Sequence, residues 1–346
     1  MSETESVVKR PRALRRGCTI GVVAPSWCGP ALAPHRIERG KAFLESLGFR
    51  VVLGPHLFER HRWTAGTPEQ RADDLVAFFA DPGVDGIWAA IGGDHACQLL
   101  PHLDWDQIAG NPKVFIGYSD ITVLNVAIWK MTGMVTFNGP ALMDEIAEYP
   151  APPEYTVQSL LRVLTRPAAA GAVESAAEWT EERLDWISKT DLTRPRAFAP
   201  SPGWTWLRPG TVDGPLVGGC LESLQHLRGT PYFPNPAALV GAILFWELSE
   251  TKPSPDVVDG LLQDYENMGV LEALGGMLVG RPYGYTESEK SLLREVVLER
   301  TRGYRFPIVT DMDFGHTAPQ MTLPIGCRAR IDGDRRTFSI VEAAVR

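Results

Sequence analysis

The chain has few cysteines, no membrane-length apolar run and no long basic stretch, and each shortage excludes something. Its five cysteines, Cys18, Cys28, Cys97, Cys220 and Cys327, are odd in number and form no C-x-x-C pair. That pattern argues against a disulfide framework and for a reducing compartment. The longest apolar run, residues 237–246, falls far short of the ~20 residues needed to span a bilayer. A net charge of -8 without a basic run argues against nucleic acid polymers and anionic membranes as main partners. There is no H-E-x-x-H motif of a zinc hydrolase and no Walker motif, and Gly21-Val22-Val23-Ala24 lacks the G-x-G-x-x-G fingerprint of dinucleotide binding. No metal and no other cofactor is therefore expected. Asp311-x-Asp313-x-x-His316 is the one metal alternative, and three ligands from a single loop make a poor cation cage.

What is present points to an α/β protein. Residues 1–16 are mostly polar or basic and carry no secretion signal, so they are expected to be a disordered leader on a cytoplasmic protein. Residues 18–24, 49–53, 84–91, 114–116 and 134–137 read as short, nearly continuous apolar strands. Between them lie helical patterns, one of which starts at Thr67-Pro68-Glu69-Gln70, with Thr as N-cap, Pro in first position and Gln at N3. Strand alternating with helix predicts an open, mostly parallel sheet over residues 17–165. Ligands in such sheets bind beyond the carboxyl ends of the strands. Residues 166–213 carry interspersed prolines and Trp179, Trp186, Trp204 and Trp206, and read as a connection between domains. Residues 214–346 are expected to form a smaller, mixed α/β domain that includes a buried strand over residues 239–246.

The candidate chemistry sits at strand ends. Ser119, in Gly117-Tyr118-Ser119-Asp120, lies between a strand and a helix, where a hydroxyl is either an ordinary turn group or an exposed nucleophile. Gly92-Gly93 ends the preceding strand and can bring backbone N–H groups close to a substrate carbonyl, with the Asp120 N–H as a second donor. Among seven histidines, His316 follows a strand in a Gly-His-Thr turn and is best placed for base chemistry. Glu222 stands near a helix start, where it is either a helix-end partner or the residue that orients a histidine. Together the three supply nucleophile, base and orienter.

These blocks, taken in order, resemble the serine LD-carboxypeptidases, and within them the microcin C immunity branch. The motifs that carry the resemblance are Val23-Ala24-Pro25-Ser26, Gly92-Gly93, Gly117-Tyr118-Ser119-Asp120, and the run from Trp179 through Trp186. With them go Pro215 through Gly219 followed by Cys220-Leu221-Glu222, then Asp311 through Thr317, and Leu323-Pro324-Ile325-Gly326. The resemblance implies a cytoplasmic, metal-independent homodimer with a flavodoxin-like N-terminal domain and a partly antiparallel, swivelling-type C-terminal domain. It implies Ser119 as nucleophile, His316 as base and then acid, Glu222 as the residue fixing the imidazole, and the Gly93 and Asp120 N–H groups as oxyanion hole. The substrate it implies is small: an acidic aminoacyl group in amide linkage to a sulfamoyl-adenosine-like nucleotide, or alternatively a murein tetrapeptide. Trp186 would stack the base, with Trp179 of the same tryptophan-rich segment also binding substrate, and helix starts near Asp94 and Asp120 would hold a terminal carboxylate. Cys220 departs from the family's usual asparagine. A non-catalytic ligand-binding protein is the reading from another class, and it would need none of the three side chains in register.

Overall fold

The computed structural model describes residues 8–346 of the chain. Five strands arise in the first half: β1 Thr19–Val23, β2 Arg50–Leu53, β3 Gly86–Ala89, β4 Val114–Gly117 and β5 Thr136–Asn138. Those at the middle of the sheet, β1, β3 and β4, are buried along their whole length, as central parallel strands covered on both faces must be. The helix Pro68–Ala80 begins as its sequence requires. Thr67 accepts from the Gln70 amide and Gln70 Oε1 accepts from the Thr67 amide.

The remaining strands are β6 Ala169–Val173, β7 Glu178–Trp179, β8 Ala199–Pro200, β9 Thr205–Arg208, β10 Thr211–Cys220, β11 Ile243–Glu247, β12 Gly276–Gly280, β13 Ile308–Met312, β14 Leu323–Ile325, β15 Arg328–Asp332 and β16 Thr337–Ala343. Among the described residues they complete a six-stranded sheet in the order β14-β5-β4-β3-β1-β2 and an eight-stranded sheet in the order β6-β16-β15-β10-β11-β12-β13-β9. In the second sheet β10 through β13 run parallel, and antiparallel strands flank them. The two units meet at the helix Thr122–Thr132, where the Cys220 amide at the end of β10 donates to Thr122 Oγ1 at 2.9 Å.

Four expectations change. The connection 166–213 is not structureless: β6 pairs with β16, β9 with β13, and β7 with β8. The final third does not form a sheet wholly of its own, because β14 returns to pair antiparallel with β5 in the first sheet. The buried strand of the second domain is shifted, running Ile243–Glu247 after a short turn of helix at Pro236–Leu239. The expected disordered leader is folded from residue 8 onward: Ala13 and Leu14 are buried, and the Ala13 amide donates to the Arg346 carbonyl. Two small apolar side chains among basic neighbours supplied that anchor; residues 1–7 lie outside the described residues. No helix among the described residues is long and apolar enough to cross a membrane.

Candidate active site

β4 ends at Gly117, and the chain turns through Ser119–Ile121 into the helix Thr122–Thr132. Ser119 has φ 60°, in the left-handed region. Such backbone costs a non-glycine residue on the order of 1–3 kcal/mol, as at the strand-to-helix turns that expose a nucleophilic serine in other hydrolases. Gly92, three residues beyond the end of β3, makes room: a Cβ there would lie 2.9 Å from Ser119 Cβ and 3.0 Å from Oγ. Among the described residues neither the Gly93 nor the Asp120 amide is paired with a loop or turn carbonyl.

The Asp120 side chain is structural. Its Oδ2 accepts from Ser26 Oγ at 2.6 Å and from the His95 and Ala96 amides, each at 2.8 Å. Burial raises its carboxyl above the ordinary value, while these three donors pull the other way. The two amides open the helical turn after Asp94, so that helix start is already capped internally. It does not offer the carboxylate-binding donors expected there. Asp94 itself is exposed and lines the cavity beside Ser119.

His316 arrives four residues beyond the end of β13, with its side chain 2% exposed. Its Nε2 lies 3.0 Å from Ser119 Oγ, and its Nδ1 lies 2.7 Å from Glu247 Oε2. The carboxylate on Nδ1 is thus Glu247, at the end of β11, and the expected assignment of Glu222 to that place is corrected. Glu222 Oε1 instead accepts from the Ser249 amide at 2.9 Å and from Ser249 Oγ at 2.6 Å, bracing the loop after β11. Cys220 is opposite Glu247, so Glu222 and Glu247 leave the carboxyl ends of adjacent strands. The signal missed was a carboxylate directly terminating a fully buried strand, Ile243 through Glu247.

A second carboxylate reaches the same ring. Glu250 Oε2 is 2.9 Å from His316 Nε2, with its side chain 49% exposed. Burial opposes charge on the imidazole, but Glu247 and Glu250 outweigh it and raise His316 to about 10. Reciprocally, burial would raise Glu250, but His316 holds it down at about 2.

Around Ser119 and His316 opens a cavity of ≈ 410 Å³. Trp186 lines it, with the Arg36 guanidinium 4.6 Å from its ring centroid and the Trp27 ring 6.5 Å away. The loop carrying Trp186 is pinned by buried Asp191, which pairs with Arg36 at 2.9 Å, His35 at 3.3 Å and Arg39 at 3.4 Å. Trp179 is not in this cavity: its ring lies under Arg281 at 4.8 Å and Lys290 at 5.2 Å. The carboxylates considered for a metal are engaged as ion pairs, Asp313 with Arg281 at 2.8 Å and Asp311 with Arg294 at 3.0 Å.

Comparison with known proteins fits this arrangement. Residues 20–139 match the LD-carboxypeptidase N-terminal domain and residues 213–331 the LD-carboxypeptidase C-terminal domain. The chain is 31% identical over 344 residues to the microcin C7 self-immunity protein MccF of Escherichia coli, covering 99% of this chain and 98% of that protein. It is 32% identical over 341 residues to the probable murein peptide carboxypeptidase of Bacillus subtilis, covering 97% and 95% respectively. A solved structure of MccF in complex with aspartyl sulfamoyl adenosine matches with a TM-score of 0.88 at 30% identity, over 98% of this chain and 100% of that one. With both halves matched and the similarity running nearly end to end, the chain belongs to the LD-carboxypeptidase family.

Proposed function

We propose that the protein is a serine amide hydrolase that releases an acidic aminoacyl group from a nucleotide-like partner through an acyl-enzyme. The observation that carries this reading is the chain Ser119 Oγ, His316, Glu247, at 3.0 and 2.7 Å, opening into a cavity faced by an aromatic ring. In this mechanism neutral His316 Nε2 takes the Ser119 proton as Oγ attacks the amide carbonyl. Glu247 holds the Nδ1 hydrogen and offsets the charge that forms on the ring. The Gly93 and Asp120 amides receive the oxyanion. His316 then protonates the leaving group, and a water activated by the same nitrogen hydrolyses the ester. Trp186, packed against the tilted Trp27 ring and under the Arg36 guanidinium, gives the nucleobase a stacking surface.

The nucleotide-like partner is supported by solved structures of the relative MccF with aspartyl sulfamoyl adenosine and with glutamyl sulfamoyl guanosine. Murein tetrapeptide cleavage is the second reading, favoured by the name of the Bacillus subtilis relative. A side-by-side assay separates them. Aspartyl-sulfamoyl adenosine and a murein tetrapeptide are offered to the wild type and to Trp186→Ala, and products are resolved by liquid chromatography. The proposal expects release of sulfamoyl adenosine, weakened by the substitution. Cleavage of the tetrapeptide alone, indifferent to Trp186, would overturn it. The same reading makes the enzyme a cytoplasmic homodimer, and its five free thiols support the reducing location.

A further inference from the structure

We propose that Glu250 selects substrates with a free ammonium group beside the scissile carbonyl, and that pairing with this ammonium frees His316 to act. The inference rests on the hydrolase reading above. Its starting point is a conflict at one atom. His316 Nε2 is 3.0 Å from Ser119 Oγ and 2.9 Å from Glu250 Oε2. A ring nitrogen either carries a hydrogen or offers a lone pair. Facing a carboxylate, Nε2 carries the hydrogen, and the ring becomes an imidazolium clasped between Glu247 and Glu250. A clasped imidazolium cannot accept the serine proton.

The cavity provides for release of this clasp. Glu250 is half-exposed on a loop after β11, while Glu247 is completely buried. The three guanidinium groups lining the cavity already have carboxylates: Arg36 has Asp191 at 2.9 Å, Arg183 has Asp144 at 3.3 Å, and Arg196 has Glu148 at 2.6 Å. Glu250 is the lining carboxylate whose ionic partner is the catalytic ring. A substrate cation placed here therefore meets a carboxylate that can move. The α-ammonium of an aminoacyl group is one carbon from the carbonyl that must reach Ser119 Oγ, which puts it within range of Glu250. An N-acylated residue brings no charge to that place.

Atoms and charge balance. Glu250 turns from Nε2 to the ammonium, the Nε2 proton passes to water, and the neutral nitrogen takes the Ser119 proton as the O–C bond forms. The groups facing the ring are Glu247, Glu250, Ser119, the Tyr118 ring at 5.0 Å, and Arg183, which reaches the His316 carbonyl. Of these, Glu250 alone is both anionic and half-exposed.

The test uses activated esters, so that it does not depend on the nucleotide. The wild type and Glu250→Gln are compared on the p-nitrophenyl esters of alanine and N-acetylalanine. The wild type is expected to favour the free amine by about ten- to a hundredfold in kcat/KM, the range for a charge-assisted pair, and the variant to lose most of that preference. In parallel, the pH dependence of Ser119 labelling by a fluorophosphonate is measured without substrate. Its midpoint is expected to fall in Glu250→Gln, because one of the two carboxylates holding the imidazolium is gone. An ester preference equal in both proteins, or an unchanged labelling midpoint, overturns the inference and leaves the hydrolase reading standing. Failure of the wild type to label at Ser119 at any pH, together with failure to cleave either ester, overturns both.

Discussion

Replacing Glu247 by glutamine separates the two carboxylates that leave neighbouring strands of the second sheet. Glu247 is fully buried, and its Oε2 meets His316 Nδ1 at 2.7 Å. A glutamine there keeps the shape but loses the charge that favours the imidazolium formed in the transition state, and its NH₂ can force the wrong tautomer. In a serine triad this substitution lowers kcat by about 10³–10⁴-fold. At 1.36 kcal/mol per decade, that is about 4–5.5 kcal/mol of transition-state stabilisation. Glu222→Gln touches the Ser249 hydrogen bonds and a 3.7 Å contact from Cys220 Sγ, none of which involves His316. Neutral hydrogen bonds of about 0.5–1.5 kcal/mol replace charged ones there, so a loss within about tenfold is expected. The assay is kcat on p-nitrophenyl alanine ester, with fluorophosphonate labelling of Ser119 beside it and circular dichroism to confirm folding. Equal losses in the two variants, or a folded Glu247→Gln enzyme with near-wild-type kcat, would refute the assignment.

Three further outcomes follow from the geometry. Gly92→Ala places a methyl 2.9 Å from Ser119 Cβ, so the elbow must shift; labelling of Ser119 should slow by about a hundredfold, since misplacement by about 1 Å costs that much. Trp186→Ala should raise KM for aspartyl-sulfamoyl adenosine by about tenfold, the scale of a lost base–aromatic stack, and leave kcat on the p-nitrophenyl ester unchanged. The third concerns pH: His316 is raised from 6.5 to about 10 by its carboxylates in the folded state. Its contribution to stability is therefore fully present below about pH 6.5 and is lost as pH rises through about 10. Urea unfolding of the wild type should show that decline, and Glu247→Gln should show a flatter one.

The first sheet was legible because its central strands are buried on both faces and so read as unbroken apolar runs bounded by glycine and proline. Ser119 and His316 were legible for a related reason: each follows such a run within a few residues, in a turn with glycine. Glu247 was not, although it also ends a buried strand. Its pairing with His316 depends on the parallel register of β10 with β11 and on the loop after β13, neither of which is a local property of the sequence. Reading the strand as ending at Trp246 put the decisive residue one position outside it. The tryptophan-rich segment shows the same limit. Short strands such as β7 and β9 exist because other strands receive them, and prolines concealed them. Trp179 and Trp186 look alike in sequence, yet one covers Arg281 and the other faces the cavity. Glu250 escaped notice because its importance lies in where the loop after β11 places it.

The central claim is that Ser119 carries an acyl group taken from an aminoacyl nucleotide. Rapid-quench mass spectrometry with aspartyl-sulfamoyl adenosine tests it most directly. The expected result is a transient aspartyl adduct on the peptide containing Ser119, formed with release of sulfamoyl adenosine and absent from Ser119→Ala. Release of sulfamoyl adenosine by Ser119→Ala at the wild-type rate, or no release by the wild type, would contradict it.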